Sequence, residues 1–487
     1  MIESRTGKWE TAIGLEVHAQ VVSKAKLFSG AGTDFGAEPN TQVSPVDAAF
    51  PGMLPVINRF CVEQAVKTGL GLAAEINLPS VFERKNYFYP DLPAGYQISQ
   101  YLQPIVGHGR VTLDMPDGTV RKIGITRLHL EQDAGKSLHD QHPSLTYVDL
   151  NRAGVALMEI VSEPDLRSAE EAGLYLRKLR SILRYLGTCD GNMEEGSLRC
   201  DCNVSVRRPG EPLGTRSEIK NLNSIRGVER GVTAELARQQ RTLDEGGRIE
   251  QATLLYDADH DRLAVMRSKE HAHDYRYFPE PDLPLLEVDA AWIEQARSRL
   301  PVLPWARERE FVALGLPWYD AAVLSEHAEL AEYALEVMRG SGVKLASNWL
   351  MTEVLRVLKE RDWTPARWRA QVPAARFRDL LARVADQSLP GPVAKQVFGW
   401  MCDGPGEVAE LLERHGVRVQ SSSAELEPLV RAVLAEHPGP VAQYRAGKTA
   451  TLGFLVGQVM KKSGGQAVPQ VVQTLLKRAL DDGSPGA

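Results

Sequence analysis

Two patterns of hydrophobic positions divide the chain near residue 290. Before that point, short runs alternate apolar and polar side chains, as in residues 111–115, 122–126 and 202–206 (VTLDM, KIGIT and CNVSV). Alternation with a period of two predicts strands that bury one face. After that point, apolar residues recur every three or four positions over long stretches, which predicts helices. The pattern therefore predicts an α+β fold, with a mixed sheet followed by helices.

One amphipathic helix is predicted inside the sheet region, over residues 168–186. Leu176, Leu179 and Leu183 recur there at helical spacing. Ser168 and Glu171 have the spacing of a capping box, in which each side chain bonds a backbone N–H at the start of a helix. We therefore expect this helix to begin just after Ser168.

Breakers in the helical region suggest where one domain ends and the next begins. Ser341-Gly342 and residues 403–406 (DGPG) interrupt the helical pattern. We predict three domains: a mixed-sheet domain over residues 1–295, a helical domain over 296–406 and a helical tail domain over 407–487.

Composition narrows the class of protein. Hydrophobic residues make up 43% of the chain and charged residues 25%, which is enough apolar material for large cores. No run of about 18 apolar residues occurs, and the start (MIESRTGKWE) lacks the pattern of a signal peptide. We therefore expect a cytoplasmic protein with no membrane partner. The net charge of −6 means that only a local basic patch can indicate nucleic-acid binding.

The first candidate for chemistry is the run IGLEVH, which contains Glu16 and His18. Residues two apart on a strand share one face, so the carboxylate and the imidazole emerge together. The pair is compatible with a metal or acid/base site, but taken alone it is better explained as a polar pair on an exposed strand face, which is common.

Two further carboxylates stand in informative surroundings. Glu131 belongs to residues 127–136 (RLHLEQDAGK), where acids and bases together suit magnesium and polyphosphate, or simply a solvated strand end. Glu159 interrupts the apolar run VALMEIV, and charged residues are rarely buried without a partner or a metal. Glu159 is therefore the strongest single candidate.

Residues 190–203 (DGNMEEGSLRCDCN) form a fourth polar cluster, whose hydroxyl, amide and guanidinium donors can contact phosphates. The sequence contains no G-x-x-x-x-G-K-[ST] loop, no G-x-G-x-x-G and no G-x-S-x-G. A nucleotide site must therefore have another architecture, and serine-hydrolase chemistry has no support.

These clusters, in this order, resemble the B subunits of tRNA-dependent Asp/Glu amidotransferases. Phrases typical of that family run through residues 13–284, among them IGLEVHAQ, FERKNYFYPDLPAGYQISQ, RLHLEQDAGKS, DLNRAGVALMEIVSEPDLRS, DGNMEEGSLRCDCNVSVR and DYRYFPEPDLP. Residues 447–472 (GKTATLGFLVGQVMKKSGGQAVPQVV) resemble the family's YqeY-like tail domain. The similarity therefore covers almost the whole chain.

The resemblance implies an activity. ATP and Mg²⁺ would be used to phosphorylate the side-chain carboxylate of Glu-tRNA(Gln) or Asp-tRNA(Asn), and ammonia from the partner A subunit would then form the amide. A C subunit completes the three-subunit complex. The family's magnesium set matches His18, Glu131 and Glu159, with Glu16 and Asp201 as further catalytic carboxylates.

The resemblance also implies contacts outside the metal set. The positions that match predicted phosphate or substrate contacts, or alternatively scaffolding, are Lys85, Ser197, Arg199 and Asn203. The tail adds a prediction from charge: in a chain of net charge −6, Lys448, Lys461 and Lys462 are the clearest basic concentration, and we predict that they contact tRNA. For these lysines the alternative is an ordinary solvated helix face.

Two departures from the family pattern bear on metals. Gln132 stands where many members have a second acid, so we assign the metal ligand to Glu131. Ser44-Pro45-Val46-Asp47 replaces a Cys-Pro-x-Cys pair that contributes to a structural zinc site in many members. We therefore expect no structural zinc.

Two rival functions remain. A non-catalytic scaffold that holds tRNA and the A subunit together has no need for the predicted convergence of His18, Glu131 and Glu159. A free-standing ligase for a small acid accounts for the ATP chemistry but leaves the helical tail with its basic residues unexplained.

Overall fold

The computed structural model describes residues 2–4, 7–115, 117–258, 260–268, 272–420 and 422–481. The chain forms two compact units, Met1–Ala306 and Arg307–Ala487. Every strand of the described residues lies in the first unit, and most helices lie in the second. The predicted α+β class, with a mixed sheet followed by helices, is confirmed.

The first unit contains all the strands of the described residues. In chain order they are β1 (Ile2–Ser4), β2 (Gly7–Gln20), β3 (Pro79–Ser80), β4 (Glu83–Asn86), β5 (Tyr96–Ser99), β6 (Gly109–Asp114), β7 (Val120–Gln132), β8 (Lys136–Leu138), β9 (Tyr147–Asp149), β10 (Ala156–Ser162), β11 (Leu198–Arg207), β12 (Ser217–Leu222), β13 (Ala252–Asp257), β14 (Arg262–Ser268), β15 (Phe278–Pro279) and β16 (Leu286–Glu287).

The helices follow the same convention. They are α1 (Arg59–Gly71), α2 (Ala169–Leu186), α3 (Ile225–Asp244), α4 (Ala290–Ser298), α5 (Pro304–Ala313), α6 (Trp318–Leu324), α7 (Ala328–Ser341), α8 (Val343–Trp349), α9 (Leu355–Glu360), α10 (Pro365–Gln371), α11 (Ala374–Ala385), α12 (Gly391–Asp403), α13 (Val408–Arg414), α14 (Ser423–Glu436), α15 (Pro438–Arg445), α16 (Thr451–Lys462) and α17 (Pro469–Asp481). A 3₁₀ turn covers Ala272–Tyr275, and a π-helical turn covers Leu350–Val354.

A nine-stranded sheet is the centre of the first unit. Its order is β14-β13-β12-β11-β2-β10-β7-β6, with β1 added to β2. Pairing is antiparallel except between β12 and β13. Three smaller pairings, β15-β4-β5, β16-β3 and β8-β9, complete the strands. The sheet is therefore mixed, as the sequence predicts.

The two faces of the central sheet differ because its strands alternate apolar and polar residues. On β2, Ile13, Leu15 and Val17 are fully buried and belong to one large core with residues of α1, α2 and α3. Glu16 and His18 point to the opposite face, since side chains alternate across a strand. Helices cover the apolar face, and the polar face lines a cleft.

Helix α2 confirms the predicted amphipathic helix and corrects one detail of its cap. Ser168 accepts a hydrogen bond from the backbone N–H of Glu171, as predicted. The Glu171 carboxylate, however, accepts from the backbone N–H of Arg167 instead of that of Ser168. The helix ends at Gly187, whose φ of 65° is the left-handed conformation that glycine adopts without strain.

Two separate hydrophobic cores stabilise the second unit. The first contains Trp368, Phe377 and Phe398, and the second contains Leu426, Leu455 and Leu476. Helix α7 ends at Ser341 and α12 ends at Asp403, where the sequence shows its breakers. Val408 and Leu411 of α13 belong to the first core, so the domain boundary near 406 stays a prediction.

No helix among the described residues combines the length and the apolar character needed to span a bilayer.

Candidate active site on the polar face of the sheet

Strand register brings residues from distant parts of the sequence side by side. Glu159 on β10 lies opposite His18 on β2 and opposite His129 on β7. On the other side of β2, Asp201 of β11 lies opposite Glu16. Because these four strands are adjacent in the sheet, their polar residues form one continuous patch on the uncovered face.

Three of the predicted residues meet at the centre of this patch. The His18 Nε2 atom lies 3.4 Å from Glu159 Oε2 and 3.6 Å from Glu131 Oε1. One ligand atom from each of His18, Glu131 and Glu159 can be chosen so that all lie within 4.8 Å of one another. Two carboxylates and an imidazole at this spacing can hold a divalent cation, with positions left for further ligands.

A second histidine, His129, completes the cluster, although it was not among the residues predicted from the sequence. His129 Nε2 lies 3.3 Å from Glu159 Oε2 and 3.5 Å from Glu131 Oε2, and the residue is only 4% exposed. Its Nδ1 atom has no hydrogen-bond partner within the described part of the chain. The signal was present, because residues 129 and 131 are two apart on one strand and so share a face.

The cluster is strongly polarised. Burial alone would lower the pKa of His18, but the Glu159, Glu131 and Asp201 carboxylates outweigh it and raise that pKa to about 9. Burial likewise opposes ionisation of Glu159, yet the two histidines hold its pKa well below the usual range. The carboxylates therefore stay ionised and require nearby positive charge, which a bound divalent cation would also supply.

A second polar group lies beside the cluster. Asn203 donates to Glu16 Oε1 at 2.8 Å, and Lys220 Nζ lies 2.5 Å from Asp201 Oδ2. Lys220 is also 3.6 Å from Glu218 Oε1. Asn203 thus orients the Glu16 carboxylate, and Lys220 is a cation of the cleft that was not predicted from the sequence.

Lys85, a predicted phosphate contact on β4, also lines the cleft. Burial would lower its pKa, but the Glu131 and Glu159 carboxylates raise it above the usual lysine range. Lys85 is therefore a permanent cation close to the carboxylate cluster, as contact with a phosphate requires.

Ser197 and Arg199 make contacts within the protein. Ser197 is buried and donates to Asp190 Oδ1 at 2.5 Å, closing the loop before β11. Arg199 Nη2 donates to Asp133 Oδ2 at 2.8 Å, and Arg152 pairs with the same carboxylate at 3.4 Å. These contacts favour the scaffolding alternative for Ser197, while the predicted substrate contact of Arg199 stays a prediction.

The cleft itself has a volume of about 300 Å³ and a mainly polar lining, which includes Glu16, His18, Lys85, Glu159, Asp201 and Lys220. A larger cavity of about 770 Å³ lies elsewhere in the first unit and is lined by Ile57, Val62, Leu286 and Trp292 among others. Among the described residues of its lining, no acid is paired with a histidine, so the smaller cleft is the better candidate for catalysis.

The two departures from the family pattern have clear structural settings. Gln132 follows Glu131 on β7, so its side chain points to the other face of the sheet and does not enter the cluster. At the position of the missing cysteine pair, Asp47 accepts hydrogen bonds from Lys26 Nζ at 3.1 Å and Ser29 Oγ at 3.0 Å. A buried ion pair thus ties these loops together.

The predicted tRNA-binding lysines lie at the two ends of α16. Lys448 precedes the helix, and Lys461 and Lys462 end it, about 20 Å away at 1.5 Å per residue. Lys462 forms an ion pair with Glu436. Gly453 and Gly457 between them are exposed, and a Cβ atom added at either would meet no described atom within 4 Å outside the local helix backbone, so this helix face is open.

Comparison with known proteins gives matches over nearly the full chain. A family described as the GatB/GatE catalytic domain matches residues 11–294, and one described as the GatB domain matches residues 333–480. The chain is 55% identical over 482 residues to the B subunit of the aspartyl/glutamyl-tRNA(Asn/Gln) amidotransferase of Methylobacterium sp. (strain 4-46), covering 99% of this chain and 98% of that protein.

Two other bacterial proteins with the same name are comparably similar. The protein of Paramagnetospirillum magneticum is 55% identical, with 99% of each chain covered. That of Granulibacter bethesdensis is 54% identical, with 98% of this chain and 99% of the relative covered.

Proposed function

The chain belongs to the family of Asp/Glu-tRNA amidotransferase B subunits, and from this membership we propose that it activates a tRNA-bound carboxylate with ATP and Mg²⁺. The substrates are Glu-tRNA(Gln), Asp-tRNA(Asn) or both. The products are Gln-tRNA(Gln) and Asn-tRNA(Asn), formed with ammonia from a glutaminase A subunit in a complex that also contains a C subunit.

The observation that carries the proposal is the convergence of His18, Glu131 and Glu159 at the cleft. The donor set fits a divalent cation, because two ionised carboxylates provide the oxygen ligands that Mg²⁺ prefers and the imidazole completes the set. Bound there, Mg²⁺ would offset the negative charge of the phosphates of ATP during transfer.

The reaction balances in two steps. An oxygen of the tRNA-bound carboxylate forms a bond to the γ-phosphorus of ATP, and the bond to the β-phosphate oxygen breaks, releasing ADP. Ammonia then bonds to the activated carbonyl carbon, phosphate leaves with the electron pair of the broken C–O bond, and the nitrogen loses a proton. A carboxylate needs this activation, since an unmodified carboxylate oxygen is a poor leaving group.

Residues of the chain would assist in defined ways. Lys85 would contact phosphate oxygens as a fixed cation, and Lys220 offers a second positive charge in the lining of the cleft. Glu16, held by Asn203, and Asp201, held by Lys220, would orient substrate groups or water beside the metal set. The tail lysines Lys448, Lys461 and Lys462 would contact the tRNA backbone.

A purely structural scaffold accounts poorly for the cluster. Buried charges cost free energy even when they are paired, and Glu131 and Glu159 are buried next to each other with His18 and His129 as their partners. Replacing a buried ionic cluster by well-packed apolar residues is often neutral or stabilising, so a fold that only held tRNA has no need of these carboxylates. The arrangement is therefore better explained by catalysis.

The test uses the complex reconstituted with its A and C subunits and both mischarged tRNAs. Glu159→Gln should abolish ATP-dependent amide formation and tRNA-dependent ADP release, while the glutaminase of the A subunit keeps its basal activity. The matched control is Glu170→Gln at an exposed position of α2, which should behave as wild type. Wild-type amide formation by the Glu159 variant would refute the proposal.

A further inference from the structure

Tyrosines form part of the wall of the cleft, and the proposed chemistry gives them no role. Tyr101, Tyr275 and Tyr277 line the cleft together with Lys85. Tyr101 directly follows the phrase FERKNYFYPDLPAGYQISQ of the family pattern. Tyr275 and Tyr277 belong to a second phrase, DYRYFPEPDLP, which lies far from the first in the sequence. The three-stranded sheet β15-β4-β5 brings these two segments together.

The ring geometry is that of a stacking platform. The rings of Tyr101 and Tyr277 are nearly parallel, with their centroids 4.5 Å apart and their planes at 11°. Tyr275 packs edge-on against Tyr277 at 6.1 Å. Tyr101 is 37% exposed, so part of its ring remains open to solvent beside the polar cleft. Planar rings held in this way can extend their stack to a further aromatic group.

The platform adjoins the cationic part of the site. Lys85 Nζ lies 5.1 Å from the centroid of the Tyr275 ring, within the range of a cation–π contact. Burial raises the pKa of Tyr277 to about 12, so this ring is a neutral phenol at physiological pH and cannot act as a base there. We therefore expect Tyr277 to contact a ligand without transferring a proton. Lys85 lies between the tyrosine rings and the carboxylate cluster, since it is near both Tyr275 and Glu131.

We propose that Tyr101 and Tyr277 form a stacking subsite for an adenine base at the wall of the cleft. The inference rests on the proposed function, in which both substrates attach their reacting group to an adenosine. ATP carries the phosphate on its adenosine, and charged tRNA carries the aminoacyl ester on its 3′-terminal adenosine. A base stacked on Tyr101 would hold either reacting group within the same cleft as Lys85 and the metal set.

The experiment replaces adenine by the fluorescent base 2-aminopurine, whose emission is quenched when it stacks on an aromatic ring. In the first arm, 2-aminopurine is the base of a non-hydrolysable nucleoside triphosphate, added with Mg²⁺. In the second arm, it replaces the adenine at the 3′ end of the tRNA. Each probe is titrated with the reconstituted complex. Quenching in the first arm assigns the subsite to ATP, and quenching in the second assigns it to tRNA.

Variants separate stacking from other contacts. Tyr101→Leu and Tyr277→Leu should weaken binding of the quenched probe about tenfold, whereas Tyr101→Phe and Tyr277→Phe, which keep the rings, should bind it as wild type does. Tyr147→Leu, at an exposed tyrosine of β9 outside the cleft lining, is the matched control. Leu variants should also raise the KM for the same substrate with little change in kcat.

Absence of quenching in both arms with the wild-type complex would overturn the subsite, whether or not the Leu variants fold. Equal defects in the Phe and Leu variants would also overturn it, since they would indicate a hydroxyl contact. Because the probes report binding without turnover, this outcome is distinct from a failure of the proposed reaction.

Discussion

Lys26 and Asp47 form an ion pair of 3.1 Å between side chains that are 0% and 3% exposed. Lys26 Nζ also donates to the Leu150 carbonyl oxygen at 3.3 Å, so the pair joins three separate loops. It occupies the place where the family pattern has a cysteine pair, and it shows how the loops are held together in this chain by charge and hydrogen bonds.

The first prediction follows from this pair. Asp47→Asn should lower the free energy of unfolding by about 3–5 kcal/mol, because it leaves the Lys26 ammonium buried without its counter-charge. Urea denaturation measures the change, and Lys26→Met combined with Asp47→Leu should lose less than Asp47→Asn alone. Asp34→Asn, at an exposed position of the same region, is the control. Equal stability of the two Asn variants would contradict the prediction.

The second prediction concerns metal affinity. Mn²⁺, used as a paramagnetic substitute for Mg²⁺, should bind to the complex, and Glu131→Gln should weaken this binding by at least about tenfold, since loss of a direct ligand exceeds the effect of losing its supporting contacts. Electron paramagnetic resonance of free Mn²⁺ gives the affinity. Gln132→Glu restores the acid of the family pattern on the other face of β7 and should leave the affinity unchanged. A tighter site in that variant would show that position 132 participates.

The third prediction concerns the cysteines, all five of which are free and buried. Burial raises the pKa of Cys61 and of Cys402 to about 11 and that of Cys189 to about 12. The thiolate is the reactive form, so the folded chain at pH 8 should react negligibly with a disulfide reagent, and all thiols should react in denaturant. Ser423→Cys, at an exposed position, supplies a positive control. Rapid labelling of any native cysteine would disprove this.

The fourth prediction is a pH dependence in the second unit. Glu353 accepts from Lys395 at 2.7 Å and Arg356 at 3.0 Å. The Lys395 contact holds the pKa of Glu353 below its usual 4.5 despite burial. A depressed folded-state pKa contributes stability that is present above about pH 4.5 and is lost as the pH falls through the folded-state value.

Glu353→Gln should therefore cost roughly 1.5 kcal/mol at neutral pH, and the difference from wild type should shrink in acid. Thermal unfolding from pH 7 to pH 3 measures it. Glu360→Gln removes an exposed partner of Arg356 and should change the stability little. A stability difference that does not vary with pH would exclude the ion pair as its cause.

The fifth prediction concerns the tail. Replacing Lys448, Lys461 and Lys462 by Ala should raise the KM for charged tRNA, and each lost phosphate contact should reduce the slope of log affinity against log salt by about 0.9. Arg431→Ala, at an exposed cation on α14, is the control. Deleting the tail from residue 422 onward should have the same effect on tRNA binding. The deletion should not begin earlier, because Val408 and Leu411 of α13 belong to the preceding hydrophobic core. An unchanged salt slope would show that these lysines do not contact tRNA.

Local patterns predicted much of the fold and part of the site. The alternation of β2 was sufficient to place Glu16 and His18 on one face. It could not reveal that β2 lies between β10 and β11, because pairing of distant strands depends on the whole sheet. The meeting of His18 with Glu131 and Glu159 therefore came from the family resemblance, and His129 was missed although it belongs to the same alternation.

The helical region shows a second limit. Residues 343–362 have the pattern of one continuous helix, yet Leu350–Val354 form a π-helical turn between α8 and α9. This turn carries the buried Glu353 that pairs with Lys395 of another helix. Hydrophobic spacing indicates which side of a helix is buried. It gives little information on a π-helical turn, which differs from an α-helical turn by one inserted residue.

The central position of β2 has a consequence for how the protein is made. This strand leaves the ribosome well before β10 and β11, which pair with most of its length and end only at Ser162 and Arg207. Until Arg207 has emerged, β2 has an apolar face and one edge that is not yet fully paired with β11. The cluster for the metal ion needs only β2, β7 and β10, so it can form once Ser162 has emerged and β10 has paired with β2. Ion binding is therefore a readout of this first stage in the folding of the sheet, before β11 completes the other edge of β2.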